Sequence, residues 1–427
     1  MTGEKDTAFQ ISTSELRFGP GATHEIGMDL SDLQLERVML LADPNLIELP
    51  PVQNVRKSLE AENVLYDLYV DIRIEPSDAS FQNAIAFAQE TDYDGFVAVG
   101  GGSTIDTAKV ANLYSCYPDE FLAYVNPPLG QGKPVPGPLK PLIAVPTTAG
   151  TGSETTGVAI FDMKDIKAKT GIAHRRLKPT LGIVDPENTI TLPPMVVAGP
   201  GLDVMCHALE SFTTLPFSQR PRPERPSRRP AYQGANPISD IWSSRALQLV
   251  DEMLIRAVRS EDDIEARGQM LLAASYAGMG FGNAGVHLCH GMSYPISSCV
   301  RSYNPPGYPD DHPIVPHGIS VTLPAPAVFR FTASANPERH LEAAGLLGAD
   351  VSKASPDDAG EILADRILFF MQELGLPNGL AEIGYELGDV PELVAGTIPQ
   401  DRVNKLSPRS FTEEDLTALF QESMVLW

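Results

Sequence analysis

Positive charge is what this sequence most lacks: 32 Lys and Arg face 55 Asp and Glu, a formal charge of −23 over 427 residues. That deficit excludes nucleic acid and anionic membrane surfaces as partners, because both demand a basic face that displaces counterions. Cysteine is scarce too, with only Cys116, Cys206, Cys289 and Cys299 and no C-x-x-C among them. Such spacing does not fit a secreted disulfide framework and suggests reduced thiols. No apolar run approaches the length of a membrane span. The opening MTGEKDTAFQ has early acids and no apolar core, so it reads as neither signal nor transit peptide. These absences lead to the expectation of a soluble, cytoplasmic protein with no membrane or nucleic-acid partner. What is present is an ordinary globular balance, 43% hydrophobic and 20% charged residues, enough for folded cores.

The length exceeds one ordinary core, so at least two domains are expected. Over the first half, short apolar runs alternate with amphipathic stretches. RVMLLADP (37–44), VLYDLYV (64–70), DGFVAVGGG (94–102) and KPLIAVPTT (140–148) read as strands. PVQNVRKSLEAENV (51–64), SDASFQNAIAFAQETD (77–92) and a segment from Ser103 read as the helices between them. Apolar strands without polar alternation, interleaved with helices, predict a parallel sheet covered on both faces. After DPENTITLPP (185–194) helical periods take over, at 194–214, 236–258, 262–282, 355–374 and 412–425. The expected architecture is an α/β dinucleotide-binding domain over 1–194 and an all-α metal-binding domain over 195–427. No internal repeat is present. The segment SQRPRPERPSRRPAYQGANP (218–237) reads as a semi-rigid surface loop. Alternatively, some of Arg220, Arg222, Arg225, Arg228 and Arg229 fold over the substrate and grip a carboxylate.

The first half carries a candidate phosphate site. In FVAVGGGSTIDTAK (96–109), Gly100, Gly101 and Gly102 let a ligand approach the backbone, and amides from Ser103 onward open a helix. The segment is not a G-x-G-x-x-G fingerprint, and a tight turn with Ser103 as an ordinary cap is the plain alternative. Two further strand ends favour a ligand. Asp43 is placed to accept ribose hydroxyls and repel an additional phosphate. The loop PTTAGTGSE (146–154) offers Thr147, Thr148, Thr151 and Ser153. Three ligand-friendly strand ends in one sheet suggest a dinucleotide.

The second half carries a candidate metal site. In GLDVMCHALES (201–211), Asp203 and His207 stand one helical turn apart on a shared face. Alone, such a pair is as readily an aspartate orienting a core histidine. His287, His290, His312 and His317 lie downstream within GVHLCHGMSYPIS and around VPHGIS. Asp203, His207, His290 and His317 together offer a carboxylate and three imidazoles, a set suited to Fe²⁺ or Zn²⁺ with coordination left open for a substrate oxygen. Spacing alone does not choose between His287 and His290. Cys206 and Cys289, next to proposed ligands, face other ways on their helices and read as small core residues.

The phosphate loop GGGSTIDTAK, the PTTAGTGSE loop, the acid–histidine helix and the downstream HG motifs together resemble the iron-containing (group III) alcohol dehydrogenases, in order, from about residue 15 to the carboxyl terminus. GSETTGVAIFD, DVMCHALESFTTLP, RPAYQGANPISDIW and GFGNAGVHLCHGMSYPIS look closest to a branch that passes hydride between a hydroxyacid and an oxoacid. The resemblance implies NAD, retained between half-reactions in that branch, and Fe²⁺ (or Zn²⁺) held by Asp203, His207, His290 and His317. It puts the HGM at His290 in the ligand register and leaves His287 as a neighbour. Cofactor contacts carry over to Asp43, Gly101, Gly102, Ser103, Thr147, Thr148 and Thr151, with Lys169 near the nicotinamide ribose. One departure matters: many relatives have a second histidine four residues after the ligand, and here that position is Tyr294. Whether its hydroxyl replaces that histidine or only shapes the site stays open.

The implied substrates are small acids. 4-Hydroxybutyrate would give succinate semialdehyde, and 2-oxoglutarate would give 2-hydroxyglutarate. Both carry carboxylates, so a cation away from the metal is required, and the arginines of 220–229, Arg245 and Arg301 are its candidates. A homo-oligomer is the expected assembly, and the mitochondrial matrix is the alternative compartment. The rivals are a conventional NAD-dependent alcohol dehydrogenase and a lyase of the dehydroquinate synthase type.

Overall fold

The computed structural model describes residues 4–166, 168–310 and 312–427. The chain divides into two compact units, Ser12–Leu192 and a second formed by Pro193–Trp427 with the described residues before 12.

The first unit is built on β1 (Glu15–Phe18), β2 (Arg37–Ala42), β3 (Leu65–Tyr69), β4 (Gly95–Gly100), β5 (Leu142–Pro146), an antiparallel pair β6 (Val158–Met163) and β7 (Ala168–Ala173), and β8 (Leu181–Val184). Six of these make one sheet in the order β1-β8-β5-β4-β2-β3, parallel at every pairing. Its helices are α1 (Ile26–Asp32), α2 (Pro50–Ala61), α3 (Asp78–Gln89) and α4 (Gly102–Cys116). Side chains alternate across the sheet plane. Val38, Leu40, Val97, Val99, Ile143 and Val145 pack with Ile26, Leu30, Val52 and Leu59 of α1 and α2. Met39, Leu41, Phe96, Ala98 and Ala144 pack on the other face with Ala84, Ala88, Ile105 and Ala108 of α3 and α4. Both faces are therefore dry, which is why these strands are unbroken apolar runs. From β2 the chain moves one way to β3, then returns past β2 to β4. The carboxyl ends of β2 and β4 thus form a switch point, the place where open parallel sheets bind ligands.

The second unit is helical: α5 (Pro194–Thr213), α6 (Pro237–Arg259), α7 (Ile264–Ala284), α8 (Leu288–Ser298), α9 (His317–Thr322), α10 (Ala325–Ala333), α11 (Pro337–Leu346), α12 (Ala359–Glu373), α13 (Val390–Thr397), α14 (Asp401–Asn404) and α15 (Glu413–Glu422). No described helix is long and apolar enough to cross a membrane. The short α9, α10, α11, α13 and α14 were not anticipated, since few turns leave little period to detect.

A single cut at 194 would leave the start of the chain in the α/β unit, whereas the segment ending at Ile11 joins the helical one. The reason lies in the proline- and arginine-rich stretch. Arg220 Nη2 reaches the buried Asp6 carboxylate at 2.7 Å, and Arg229 Nε and Nη2 donate to it at 3.1 Å each. Gln10 and Gln233 exchange two further hydrogen bonds at 2.8 and 2.6 Å. Arg222 faces Glu4 at 3.6 Å and Arg228 faces Glu224 at 2.6 Å. The carboxylates these arginines grip are the protein's own.

Burial in this unit also sets a pH response. His340 is fully buried, with Nδ1 2.8 Å from the Asn336 carbonyl and Nε2 3.0 Å from Thr332 Oγ1. Burial, above all, pushes its pKa down to about 4, and the same holds for the buried His287. Both folded values lie below the unfolded one, so the unfolded chain binds more protons between pH 6.5 and 4 and stability falls as pH falls through that window. Each histidine contributes a slope of about 1.4 kcal/mol per pH unit at most. Denaturant titrations at pH 7, 6 and 5 should therefore show declining unfolding free energy, less steeply in His340→Gln; equal slopes for the two proteins would rule out His340 as a contributor.

Candidate metal centre and dinucleotide-binding loops

Asp203, His207, His290 and His317 come together from α5, α8 and α9, with one donor atom from each lying within 4.8 Å of all the others. Asp203 Oδ1 is shared: His207 Nδ1 stands 3.6 Å from it, His290 Nε2 3.7 Å and His317 Nε2 4.0 Å. These separations exceed hydrogen-bonding range. Donors held ~2.1 Å from one ion in a tetrahedron lie roughly 3.4 Å apart, which is near the spacing found. His207 Nδ1 and His290 Nε2 are buried and find no hydrogen-bond partner among the described residues. Burial, then the neighbouring imidazoles, holds both histidines well below their ordinary pKa. They are neutral, with lone pairs presented to one point, so the donor set fits a divalent cation.

The close approach has local causes. Gly318, at the start of α9, lies against α5: a Cβ there would fall 2.0 Å from the Gly199 carbonyl oxygen and 3.0 Å from Asp203 Cβ. Phe281 of α7 stacks on His207 with ring centroids 4.0 Å apart and planes within 7°. Glu210, a residue the sequence reading passed over, is fully buried on α5. One of its oxygens engages His290 Nδ1; the other accepts the amides of His287 at 3.0 Å, Cys289 at 2.8 Å and His290 at 3.4 Å. It thus fixes the ring whose Nε2 faces the cluster, the role an outer carboxylate plays for a metal-binding histidine. Burial raises the Glu210 pKa, against the opposing pull of His287 and these amides. A signal was available, since Asp203, His207 and Glu210 follow i, i+4, i+7 spacing on one helix face.

His287 turns away from the cluster and places Nε2 3.0 Å from Thr213 Oγ1 in the core. His312 is outside the group as well. Cys206 and Cys289 are buried thiols with pKa values raised well above the ordinary by burial. Tyr294, one turn after His290 on α8, is buried, and its hydroxyl accepts from Arg402 Nη2 at 3.0 Å. Of the arginines proposed to hold a substrate carboxylate, Arg245 lies 3.7 Å from Glu252 and Arg301 pairs with Asp389.

In the α/β unit, Asp43 directly follows β2 with its amide 3.2 Å from the Val99 carbonyl, beside the end of β4. Its carboxylate accepts from Asn45 N and Nδ2 at 2.9 and 3.0 Å. Helix α4 starts at Gly102, one residue before the expected Ser103, with Gly101 in the cap position and no side-chain cap. Its first amides are accordingly left for another acceptor. The Thr147 amide donates to the Gly100 carbonyl at 3.1 Å, tying this loop to the end of β5. A Cβ on Gly101 would lie 3.1 Å from Thr148 Oγ1, and one on Gly102 would lie 2.6 Å from Thr151 Cγ2. Asp43, Gly101, Gly102, Ser103, Thr147, Thr148 and Thr151 therefore gather at neighbouring strand ends. Ser153 is different: its buried hydroxyl lies 2.5 Å from Lys109 Nζ and donates to Asp106 at 2.6 Å, a core network that occupies it. Lys169 is buried on β7, held by Glu75 and by Asp162 at 3.3 Å.

An α/β unit whose glycine and threonine loops gather at neighbouring strand ends and a helical unit with a carboxylate–imidazole cluster are the two parts expected of a nucleotide- and metal-dependent class of enzyme. The model for iron-containing alcohol dehydrogenase matches residues 13–186, and that for the carboxyl-terminal part of the Fe-containing alcohol dehydrogenase family matches 231–424. The chain belongs to the iron-containing alcohol dehydrogenase family. Among its relatives is the mitochondrial hydroxyacid-oxoacid transhydrogenase of Mus musculus, 58% identical over 99% of this chain and 91% of the relative. The Homo sapiens protein of the same name is 56% identical over the same shares. Among solved structures, 1,3-propanediol oxidoreductase superposes with a TM-score of 0.85 at 25% identity, covering 98% of this chain and 100% of that one. Alcohol dehydrogenase from Oenococcus oeni gives 0.85 at 26% identity, covering 97% and 100%.

Proposed function

We propose that this chain is a hydroxyacid–oxoacid transhydrogenase that oxidises 4-hydroxybutyrate to succinate semialdehyde and reduces 2-oxoglutarate to 2-hydroxyglutarate. One hydride and one proton leave the first acid and enter the second, so the pair of reactions is balanced without a further oxidant. The observation that carries the metal-dependent part is the convergence of Asp203, His207, His290 and His317 on one point. The hydroxyacid and oxoacid classes are supported by relatives of that name at 56–58% identity, and the particular pair is the one the family resemblance implies. Their mitochondrial designation favours that compartment over the cytoplasm.

Asp203, His207, His290 and His317 would hold the ion, Fe²⁺ by family and Zn²⁺ by the same donor chemistry. Bound there, a divalent cation supplies Lewis acidity toward an alcohol or carbonyl oxygen, while NAD supplies the hydride carrier. Glu210 keeps His290 turned inward through Nδ1. The uncapped amides at the start of α4 would receive the pyrophosphate, since a helix amino terminus favours an anion. Asp43 would accept ribose hydroxyls and disfavour a 2′-phosphate. Thr147, Thr148 and Thr151 would hold the remainder of the cofactor, with Lys169 toward the nicotinamide ribose. Tyr294 positions Arg402 through its hydroxyl.

The test uses purified protein with no cofactor added. 4-Hydroxybutyrate and 2-oxoglutarate are supplied together, and succinate semialdehyde and 2-hydroxyglutarate are quantified. Turnover well beyond one equivalent is expected, because the hydride is relayed on retained NAD. Inactivity until free NAD is added, with NADH accumulating from the alcohol alone, would make the protein a conventional dehydrogenase.

A further inference from the structure

We infer that Arg402 receives the carboxylate that the two proposed substrates have in common, an inference that rests on the preceding reading and names a residue for its acid specificity. With 55 acidic residues against 32 basic ones, this chain has carboxylates to spare. Interior and surface arginines find them readily: Arg17 pairs with Asp29, Arg37 with Asp67, Arg339 with Asp240 and Arg366 with Asp251. Arg402, on α14, pairs with no carboxylate among the described residues. Its Nη2 donates to Tyr294 Oη at 3.0 Å, and its guanidinium carbon lies over the Tyr232 ring, 4.8 Å from the centroid. The side chain keeps some exposure, but Nη1 is out of water and meets no acceptor among the described residues. A guanidinium with a dry, unmatched N–H edge is ordinarily matched by an anion, and the planar fork suits a carboxylate.

Two separate contacts carry this group to the imidazole cluster. Tyr294 follows His290 by one turn of α8, a rise of about 6 Å. Tyr232 meets Phe281 edge-on at 6.4 Å, and Phe281 is the ring stacked on His207.

The substrates match one such cation. In 4-hydroxybutyrate the reacting carbon is separated from the carboxylate by two methylenes. In 2-oxoglutarate the ketone carbon is separated from the far carboxylate by the same two. A single guanidinium can therefore serve both half-reactions, with Tyr294 holding it by Nη2 and the Tyr232 ring lying against its face.

The experiment compares the native metal- and NAD-loaded protein with Arg402→Gln and Arg402→Lys. KM and kcat are measured for 4-hydroxybutyrate, 2-oxoglutarate and butan-1-ol, and glutarate binding is measured by calorimetry. Loss of a charge-assisted fork should raise KM for both acids at least ~10-fold relative to any change for butan-1-ol. Glutarate affinity should weaken to a similar extent, and lysine should restore part of both. Acid and alcohol KM values rising together, or glutarate binding unchanged, would overturn the assignment and leave Arg402 as a support for Tyr294. A native protein with no preference for the acids over butan-1-ol overturns the transhydrogenase reading itself, and the carboxylate role with it. A native preference that persists in Arg402→Gln overturns the Arg402 role alone. Should circular dichroism show Arg402→Gln unfolded, Arg402→Lys and Tyr294→Phe replace it; acid-to-alcohol KM ratios unchanged in both would overturn the proposal.

Discussion

Replacing His290 with alanine is expected to empty the metal centre and to lower turnover by on the order of 10³-fold or more. The substitution removes one of three imidazoles that share the Asp203 carboxylate. It also strands Glu210, a fully buried acid whose second oxygen is satisfied by the His290 ring. Losing one partner of a buried polar pair costs more than the pair contributes, so some loss of thermal stability should accompany the loss of metal. His287→Ala is the informative companion. That ring is equally buried but packs against Thr213, away from the cluster. It should reduce the melting temperature while leaving the metal stoichiometry intact. Metal analysis by mass spectrometry, beside melting curves, separates the two cases. A His290→Ala protein that keeps a full equivalent of metal would remove His290 from the ligand set.

Gly102→Val should weaken NAD binding on the order of 100-fold while leaving the metal content unchanged. A Cβ at this position lies 2.6 Å from Thr151 Cγ2 and 2.8 Å from its Oγ1, and threonine is stiff about its first torsion. The loops after β4 and β5 must therefore separate, and the amides at the start of α4 lose their alignment. The branched side chain also stands beside the amides that would meet the pyrophosphate. Because the substitution lies in the α/β unit and the metal cluster in the helical unit, the two half-sites should fail independently. NADH fluorescence titration checks this directly. A dissociation constant within a few-fold of native would show that phosphate is not bound at the start of α4.

Much of the architecture is written locally. Strands such as FVAVG and LIAVP are apolar on both faces because the helices that cover them are also local in sequence, so the parallel α/β half can be read from alternation alone. The metal set is partly local too: Asp203 and His207 share a helix face by spacing, as Glu210 does. The choice of His290 over His287 was not legible in spacing, because both lie in GVHLCHG and differ only in which way the backbone before α8 turns them. Ser153 illustrates the opposite case. Its hydroxyl is ligand-like in sequence, but the buried Lys109 claims it across 44 residues.

The sequence by itself determined the two kinds of unit, the glycine–threonine strand ends and the residue types suited to a divalent ion, since these depend on periodicity and on side-chain chemistry. Only the tertiary structure decided that the first residues belong to the helical unit, that Glu210 governs His290, and that Arg220, Arg222, Arg228 and Arg229 are spent on the protein's own acids while Arg402 pairs with none among the described residues. Those outcomes depend on which distant charges meet inside a low-dielectric interior, and a buried pairing is fixed by the packing of whole helices, which no local pattern records.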